Sequence, residues 1–267
     1  MDGYLFDPHT HTAETSKCGR LPAAEVVDRY VRHGFAGLVV TDHLHPEYLS
    51  RIDTDHDWNA VCDPYLSGYR ASKRRGDEVG LQVLLGAELR FPENDNDYLV
   101  YGIDEQWLRS NPYVCCMSAQ EFFDKFHDQV LIIHAHPYRD GNTTVFEGAV
   151  HGTEIINGNP RHDNYNDRAL ELARRHPGYY RLAGSDTHED GDARGLLCLQ
   201  SPDPTAPLPP LGAGIPVPCG RGRGDAEGGA AMSRFDALII GEVAQDTNVD
   251  CDGTTVEAIG GAVYYSG

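Results

Sequence analysis

No run of this sequence approaches the ~20 apolar residues that cross a bilayer, which excludes a helical membrane span. The opening MDGYLFDPHTH has neither a basic leader nor an apolar segment of signal-peptide length. Cysteine is present but unpaired in pattern. The seven residues are odd in number and irregularly spaced, and Cys115 and Cys116 are neighbours, so a disulfide framework is not expected. These absences predict a reduced, cytoplasmic protein. Basic residues are scarce, 22 against 41 acidic, for a formal net charge of −19. Such a surface repels nucleic-acid phosphates, and no basic, aromatic groove for single strands is visible. Histidine, in contrast, is abundant at 13 residues, and its placement carries the information.

Short apolar runs recur, and each ends on a residue of metal-ligand type. Tyr4-Leu5-Phe6 leads to His9-Thr10-His11, Gly37–Val40 to Asp42-His43, and Leu81–Leu85 to Glu88. Val130–Ile133 leads to His134-Ala135-His136, Glu154–Ile156 to Asn157-Gly158-Asn159, and Tyr179–Ala183 to Asp186-Thr187-His188. Asp97 precedes a further run, Tyr98–Tyr101. Helical periodicity lies between several of them: Pro22–His33 stopped by Gly34, Asp57–Val79 broken near Pro64, Ser118–Phe126 with a capping-box Glu121, and Asp163–His176 ended by Pro177-Gly178. Strand-helix alternation with short buried strands predicts a parallel α/β sheet or barrel. Loops after the strands of such a barrel gather on one face, where ligand-type residues converge.

His9 and His11, two apart at a strand end, point to one side and suit Zn, Mn or Fe. Alone they read equally well as surface histidines in a turn. Glu88 can bridge two cations because a carboxylate offers two oxygens, or it can simply cap a loop. Five strand ends supplying His, Asp or Glu together point to a multi-metal site.

In the order His-x-His, Thr41-Asp42-His43, Gly86-x-Glu88, Ala135-His136-Pro137 and Ser185-Asp186-x-His188, the sequence resembles the PHP (polymerase and histidinol phosphatase) superfamily over about residues 4 to 195. The resemblance implies a distorted seven-stranded (βα) TIM-like barrel with two or three divalent metal ions (Zn, Mn or Fe) that hydrolyses phosphate esters. It places one cation on His9, His11, Glu88 and Asp186, and a second on Glu88, His136 and Asp97, where many relatives carry His. Carboxylate for imidazole there favours harder metals such as Mn or Fe. A third cation falls to His43 and His188. The further family histidine is replaced by Lys17, with Glu14 as a substitute ligand. Glu88, Asp186 and His188 are the implied catalytic residues. The cations acidify a bound water, which attacks phosphorus in line with the leaving oxygen. Arg139 and Arg161 are candidates to grip the phosphate, or ordinary ion pairs, and His134 is a candidate substrate contact. The expected partner is a small phosphorylated substrate, a monoester or nucleotide. Histidinol phosphate is one possibility. Neither a membrane nor a nucleic-acid partner is expected.

The character changes after the phosphoesterase-like segment, 1–195. Residues 202–218 hold seven of the sixteen prolines, so 196–231 is expected to be a disordered linker. Residues 232–267, with a strand near Phe235–Gly241 and a hairpin around Asp252-Gly253, form a short β fragment resembling the start of PfkB (ribokinase-like) sugar kinases through Gly241-Glu242, Asp246, Asp250 and Gly260-Gly261-Ala262. No kinase activity is expected of it. A fusion of neighbouring coding regions and a functional linker are the two readings of this end. Two other functions compete with the first. An amidohydrolase-type barrel also opens with His-x-His but usually places a lysine at a middle strand end, which is missing here. A catalytically silent domain would have lost ligands.

Overall fold

Continuous apolar runs become buried strands: β1 (Phe6–Thr10), β2 (Gly37–Val40), β3 (His43–Leu44), β4 (Gln82–Leu85), β5 (Ala87–Arg90), β6 (Asp97–Tyr101), β7 (Leu131–Ala135), β8 (Gly152–Asn157) and β9 (Tyr180–Gly184). Helices α1 (Ala23–Arg32), α2 (Pro46–Ile52), α3 (Trp58–Tyr65), α4 (Ser67–Val79), α5 (Glu105–Ser110), α6 (Ala119–Phe126) and α7 (Asn166–Arg175) lie between them. The computed structural model describes residues 6–53, 56–142, 145 and 147–189, with the backbone of strands 198–200, 244–249 and 255–260.

Local chemistry accounts for the element limits. In α1, Ala23, Val26, Val27 and Tyr30 recur at helical spacing and are buried, and Gly34, at φ 75°, ends the turn that follows. The Asp57–Val79 pattern divides at Leu66 into α3 and α4. Ser118 and Glu121 cap α6 reciprocally, with Glu121 N donating to Ser118 Oγ at 3.2 Å and Ser118 N to Glu121 Oε2 at 2.9 Å.

Alternation within β2 sends Leu38 and Val40 under α1 and Val39 to the opposite side. There Val39 and Leu84 meet Leu99, Tyr101, Leu131, Ile133 and Leu182 in a second cluster. A larger cluster, including Tyr65, Leu89, Phe91, Tyr98, Phe122 and Phe126, packs α3 and α6 against β5 and β6.

The ladders from β1 to Cys198–Gln200 form two sheets. One is β1-β2-β4, all parallel. The other is mixed, β10-β9-β8-β7-β6-β5-β3, with β10 at Cys198–Gln200 antiparallel to β9. The expected wholly parallel arrangement therefore needs correction: β6 runs antiparallel to both β5 and β7. Its physical cause is the six-residue connection, 91–96, between β5 and β6, too short for the crossover that a parallel pair requires. The fold is α/β with mixed sheets, and no single closed ladder runs through the described residues.

β10 falls inside the expected linker, and β11 (Ala244–Val249) pairs antiparallel with β12 (Thr255–Gly260). The remainder of 196–231, the expected strand at 235–241 and the rest of 232–267 lie outside the described residues. Among the described residues, no helix is long and apolar enough to cross a membrane.

One buried carboxylate ties β1 to the end of β9. Asp7 Oδ1 accepts from His9 N at 3.0 Å and Ser185 N at 3.3 Å, and Oδ2 accepts from the Tyr30 and Ser185 hydroxyls. Burial pushes its pKa up to about 6 against these stabilising hydrogen bonds. Replacing it strands several buried donors at once. Asp7→Ala should lower stability by about 3 kcal/mol, read from urea denaturation. A loss below about 0.5 kcal/mol, the scale of an ordinary surface change, would refute this role for Asp7.

Candidate metal centre

Strand ends bring the ligands together. His11 N donates to Thr187 O at 3.0 Å and Asp186 N to His9 O at 2.9 Å, which locks the end of β1 beside the segment after β9. His43 stands opposite Glu88 in the β3–β5 register. Antiparallel β6 places its first residue, Asp97, opposite Arg90 at the end of β5 and Ala135 at the end of β7. His136 and Asp186 both take left-handed backbone conformations, φ 27° and φ 54°. Such strained turns redirect a side chain where a straight strand would carry it past the site.

The buried acceptors crowd closely. A carboxylate only accepts, so the 3.0 Å contact of His9 Nδ1 with Glu154 puts the proton on Nδ1 and leaves Nε2 as a lone pair. Ser16 Oγ donates to Asp42 at 2.7 Å, so His11 Nδ1, 3.3 Å away, donates to Ser16, and its Nε2 is also a lone pair. These two Nε2 atoms lie 3.2 Å apart. Asp186 Oδ1 is 3.4 Å from the first and 3.1 Å from the second. Glu88 Oε1 is 3.4 Å from His9 Nε2, and Oε2 is 3.3 Å from His11 Nε2. Asp186 Oδ1 and Glu88 Oε2 are buried and accept no hydrogen bond. With both rings neutral, these two nitrogens and two oxygens are all acceptors and repel one another, unless a cation or a proton lies among them. Ligand atoms at about 2.1 Å from a metal ion stand roughly 3.0–3.4 Å apart in octahedral or tetrahedral shells, which matches these separations. The donor set fits a divalent cation.

Glu88 reaches further. His136 Nε2 is 3.0 Å from Oε1, while His43 Nδ1 is 2.8 Å from Oε2 but off the line of a hydrogen bond. Four overlapping groups of candidate ligand atoms result: His9-His11-Glu88, His9-His136-Asp186, Glu88-Asp97-His136 and His11-His43-His188. Charge interactions reinforce them. Burial alone raises a carboxyl pKa, yet His43, His9 and His136 hold Glu88 well below the usual carboxylate range. Burial is likewise outweighed at Asp186 by His9, Arg139 and His11, which hold its pKa well down. Burial disfavours the charged His9 ring, but Asp186, Glu154 and Glu88 raise its pKa well above normal, so without a cation a proton is drawn to Nε2, and a bound cation would displace it. His11 moves down instead, through burial and the neighbouring His188 and His43 rings.

Of the residues singled out from the sequence, His9, His11, His43, Glu88, Asp97, His136, Asp186 and His188 converge. Glu14 does not join them. Both its oxygens accept from Ala23 N, at 3.0 and 2.9 Å, capping α1, because Pro22 at the helix start has no capping oxygen. His134 is 1% exposed and stacks on Tyr98, with ring centroids 5.3 Å apart, so a substrate cannot touch it. Arg139 turns inward: it donates to Asp186, to Asn157 at 2.9 Å and to Asn164 at 2.9 Å, an arrangement that positions Asp186. Arg161 lies nearer the rim, with its Nε on Asn159 at 3.2 Å.

Three contributors escaped the sequence reading. Glu154, inside β8, accepts from His9 Nδ1, from His136 N at 2.9 Å and from Asn157 Nδ2 at 3.0 Å. Arg90 forks onto both oxygens of Asp97, at 2.8 and 2.7 Å. Cys18, exposed as a residue, brings its sulfur 3.2 Å from His43 Nε2. Removal of that sulfur from water raises the thiol pKa, but hydrogen bonds with His188 and His43 bring it down to about 6.

No family model matches the sequence, and no curated protein matches it. Several solved structures share its fold. One is a two-domain protein from Bacteroides vulgatus containing a predicted PHP-like metal-dependent phosphoesterase, at TM-score 0.51 and 17% identity over 69% of this chain. The chain spans about half of that protein, 52%. A second, assigned as a metal-dependent phosphoesterase from Bifidobacterium adolescentis, gives TM-score 0.45 and 16% identity over 71% of this chain and 89% of its own. A third, an amidohydrolase from Chromobacterium violaceum with bound sulfate and no metal, gives 0.44 and 18% over 70% and 89%. At such identities the likeness is one of fold.

Glu154 orients two ligands at once, so its loss should be felt by any cation held here. Glu154→Ala is expected to weaken metal affinity about 10–100-fold while leaving the far-ultraviolet circular dichroism unchanged. Competition against a chromophoric chelator measures it, and unaltered affinity in a folded variant would remove Glu154 from the centre.

Proposed function

We propose that this chain is a metal-dependent phosphoesterase that hydrolyses a small phosphomonoester or nucleotide at a centre of two or three divalent cations. The observation that carries this reading is the crowding at 3.1–3.4 Å of His9 Nε2 and His11 Nε2 against the buried carboxylates Glu88 and Asp186, whose Oε2 and Oδ1 accept no hydrogen bond. The fold likeness to a PHP-like phosphoesterase supports the choice of reaction. When bound, divalent cations act as Lewis acids on phosphate oxygens and acidify water.

His9, His11, Glu88 and Asp186 would hold one cation in this reading, and Glu88, Asp97 and His136 would hold a second. Glu88 could serve both because its oxygens face different imidazoles, Oε1 towards His136 and Oε2 towards His11. Asp97 shares its oxygens with Arg90, and each retains a second lone pair for a cation. Its oxygen chemistry favours Mn or Fe at that position. Glu154 keeps the proton on His9 Nδ1, and Arg139 keeps Asp186 turned inward. Arg161, at the rim, would receive the phosphate in this reading.

The two sheets read as one distorted seven-stranded barrel. β2 with β3, and β4 with β5 through Gly86, act as two bent strands. A Thr10–Thr187 bridge then joins β1 to the segment after β9.

Phosphate release should appear with some phosphorylated metabolites when Mn, Zn and Fe are supplied separately. It should vanish on chelation and fall about 10³-fold or more in Glu88→Ala. Equal release from metal-free protein or from Glu88→Ala would overturn the assignment. Cleavage confined to an amide and lactone panel would transfer the centre to amidohydrolase chemistry.

A further inference from the structure

The imidazoles of His11, His43 and His188 form a compact group whose candidate ligand atoms lie within 4.8 Å of one another. Their rings stack, His11 on His43 at 4.5 Å and His11 on His188 at 4.1 Å between centroids. His188 Nδ1 lies 2.8 Å from the Asp186 carbonyl oxygen, an acceptor, which puts the proton on Nδ1 and makes Nε2 the basic nitrogen. His43 turns Nδ1 to Glu88 and Nε2 to the Cys18 sulfur, 3.2 Å away. Beside this group the buried oxygens Asp186 Oδ1 and Glu88 Oε2 accept no hydrogen bond. Glu14, the alternative ligand from the same loop, is spent on capping α1.

We propose that Cys18 supplies a thiolate to a third cation position shared with His43 and His188, making that position selective for a soft, zinc-like ion. The inference rests on the metal-centre reading above. Zinc binds thiolate at about 2.3 Å and imidazole at about 2.0 Å, which puts tetrahedral S and N ligand atoms roughly 3.5 Å apart. The 3.2 Å between Cys18 Sγ and His43 Nε2 is close to that separation. Binding exchanges the thiol proton for the cation and releases the proton to solvent. Sulfur beside two imidazoles selects zinc or cobalt over manganese, unlike the oxygen-rich set of Glu88 and Asp97.

Cobalt(II) is the probe, added to the metal-free full chain and to Cys18→Ser. The wild type should develop thiolate-to-cobalt charge-transfer absorption in the near ultraviolet, and Cys18→Ser should lack it and bind one cobalt fewer per chain. Zinc should also slow iodoacetamide alkylation of Cys18, followed by peptide mass spectrometry, about tenfold or more. A wild type that takes up cobalt without the band, a band that survives in Cys18→Ser, or alkylation indifferent to zinc overturns the thiolate ligand while leaving the Glu88 centre standing. Failure to bind any cobalt overturns both.

Discussion

Mutual repulsion of buried acceptors is the constraint around which the rest of this molecule is arranged. His9 Nε2, His11 Nε2, Glu88 Oε2 and Asp186 Oδ1 stand at hydrogen-bond distances, and with both rings neutral no proton lies between the two imidazole nitrogens. An unpaired buried charge or lone pair is costly, and such an arrangement holds only if surrounding bonds over-determine it. They do so from three sides. Asp7 pins the backbone of His9 and Ser185, Asp42 pins Thr12 and Ser16 below His11, and Glu154 pins His9 and His136. Each pinning group is a buried carboxylate that accepts from several donors. The scaffold thus keeps the acceptor cluster assembled and leaves the central attraction to cations.

Much of this was legible because ligands terminate apolar runs. A run such as Leu131–Ile133 must be a buried strand, and the polar residue that ends it must surface at a sheet edge. The alternation that puts His9 and His11 on one side does not extend to His134 and His136. Two residues apart in a regular strand they would share a face, but the strand stops at Ala135 and His136 turns at φ 27°, so one ring enters the core and the other the centre. Periodicity contains no information about that turn. Glu14 misled for a similar reason: nothing local announces that a proline-started helix will borrow its cap from nine residues earlier.

Two of the missed features did leave a trace. Glu154 is a carboxylate inside an otherwise apolar strand, and a charge in that setting needs dedicated partners, here two ligand residues. The direction of β6 was implied by chain length, since residues 91–96 cannot contain a crossover helix. That reversal is what makes Asp97 available. The opening residue of an antiparallel strand lies where its parallel neighbours end, so a residue before an apolar run joins residues that follow one. Cys18 left no such trace, because it sits in an aperiodic loop whose path is set by Ser16 and Asp42.

The acidity of the chain opposes the proposed anionic substrate only at long range. Around the centre, the carboxylates of Glu88, Asp97, Glu154 and Asp186 outnumber the guanidinium groups of Arg90 and Arg139 by two. Two divalent cations among them would reverse the sign of the local charge, and a third would strengthen the reversal even against a thiolate. Phosphate would then meet a positive centre inside a molecule of net charge −19. At a Debye length of about 8 Å the outer charges are largely screened by salt, whereas cations buried at the centre would not be. Local field, set by buried ligands, decides binding there, and the surface decides which larger polyanions stay away.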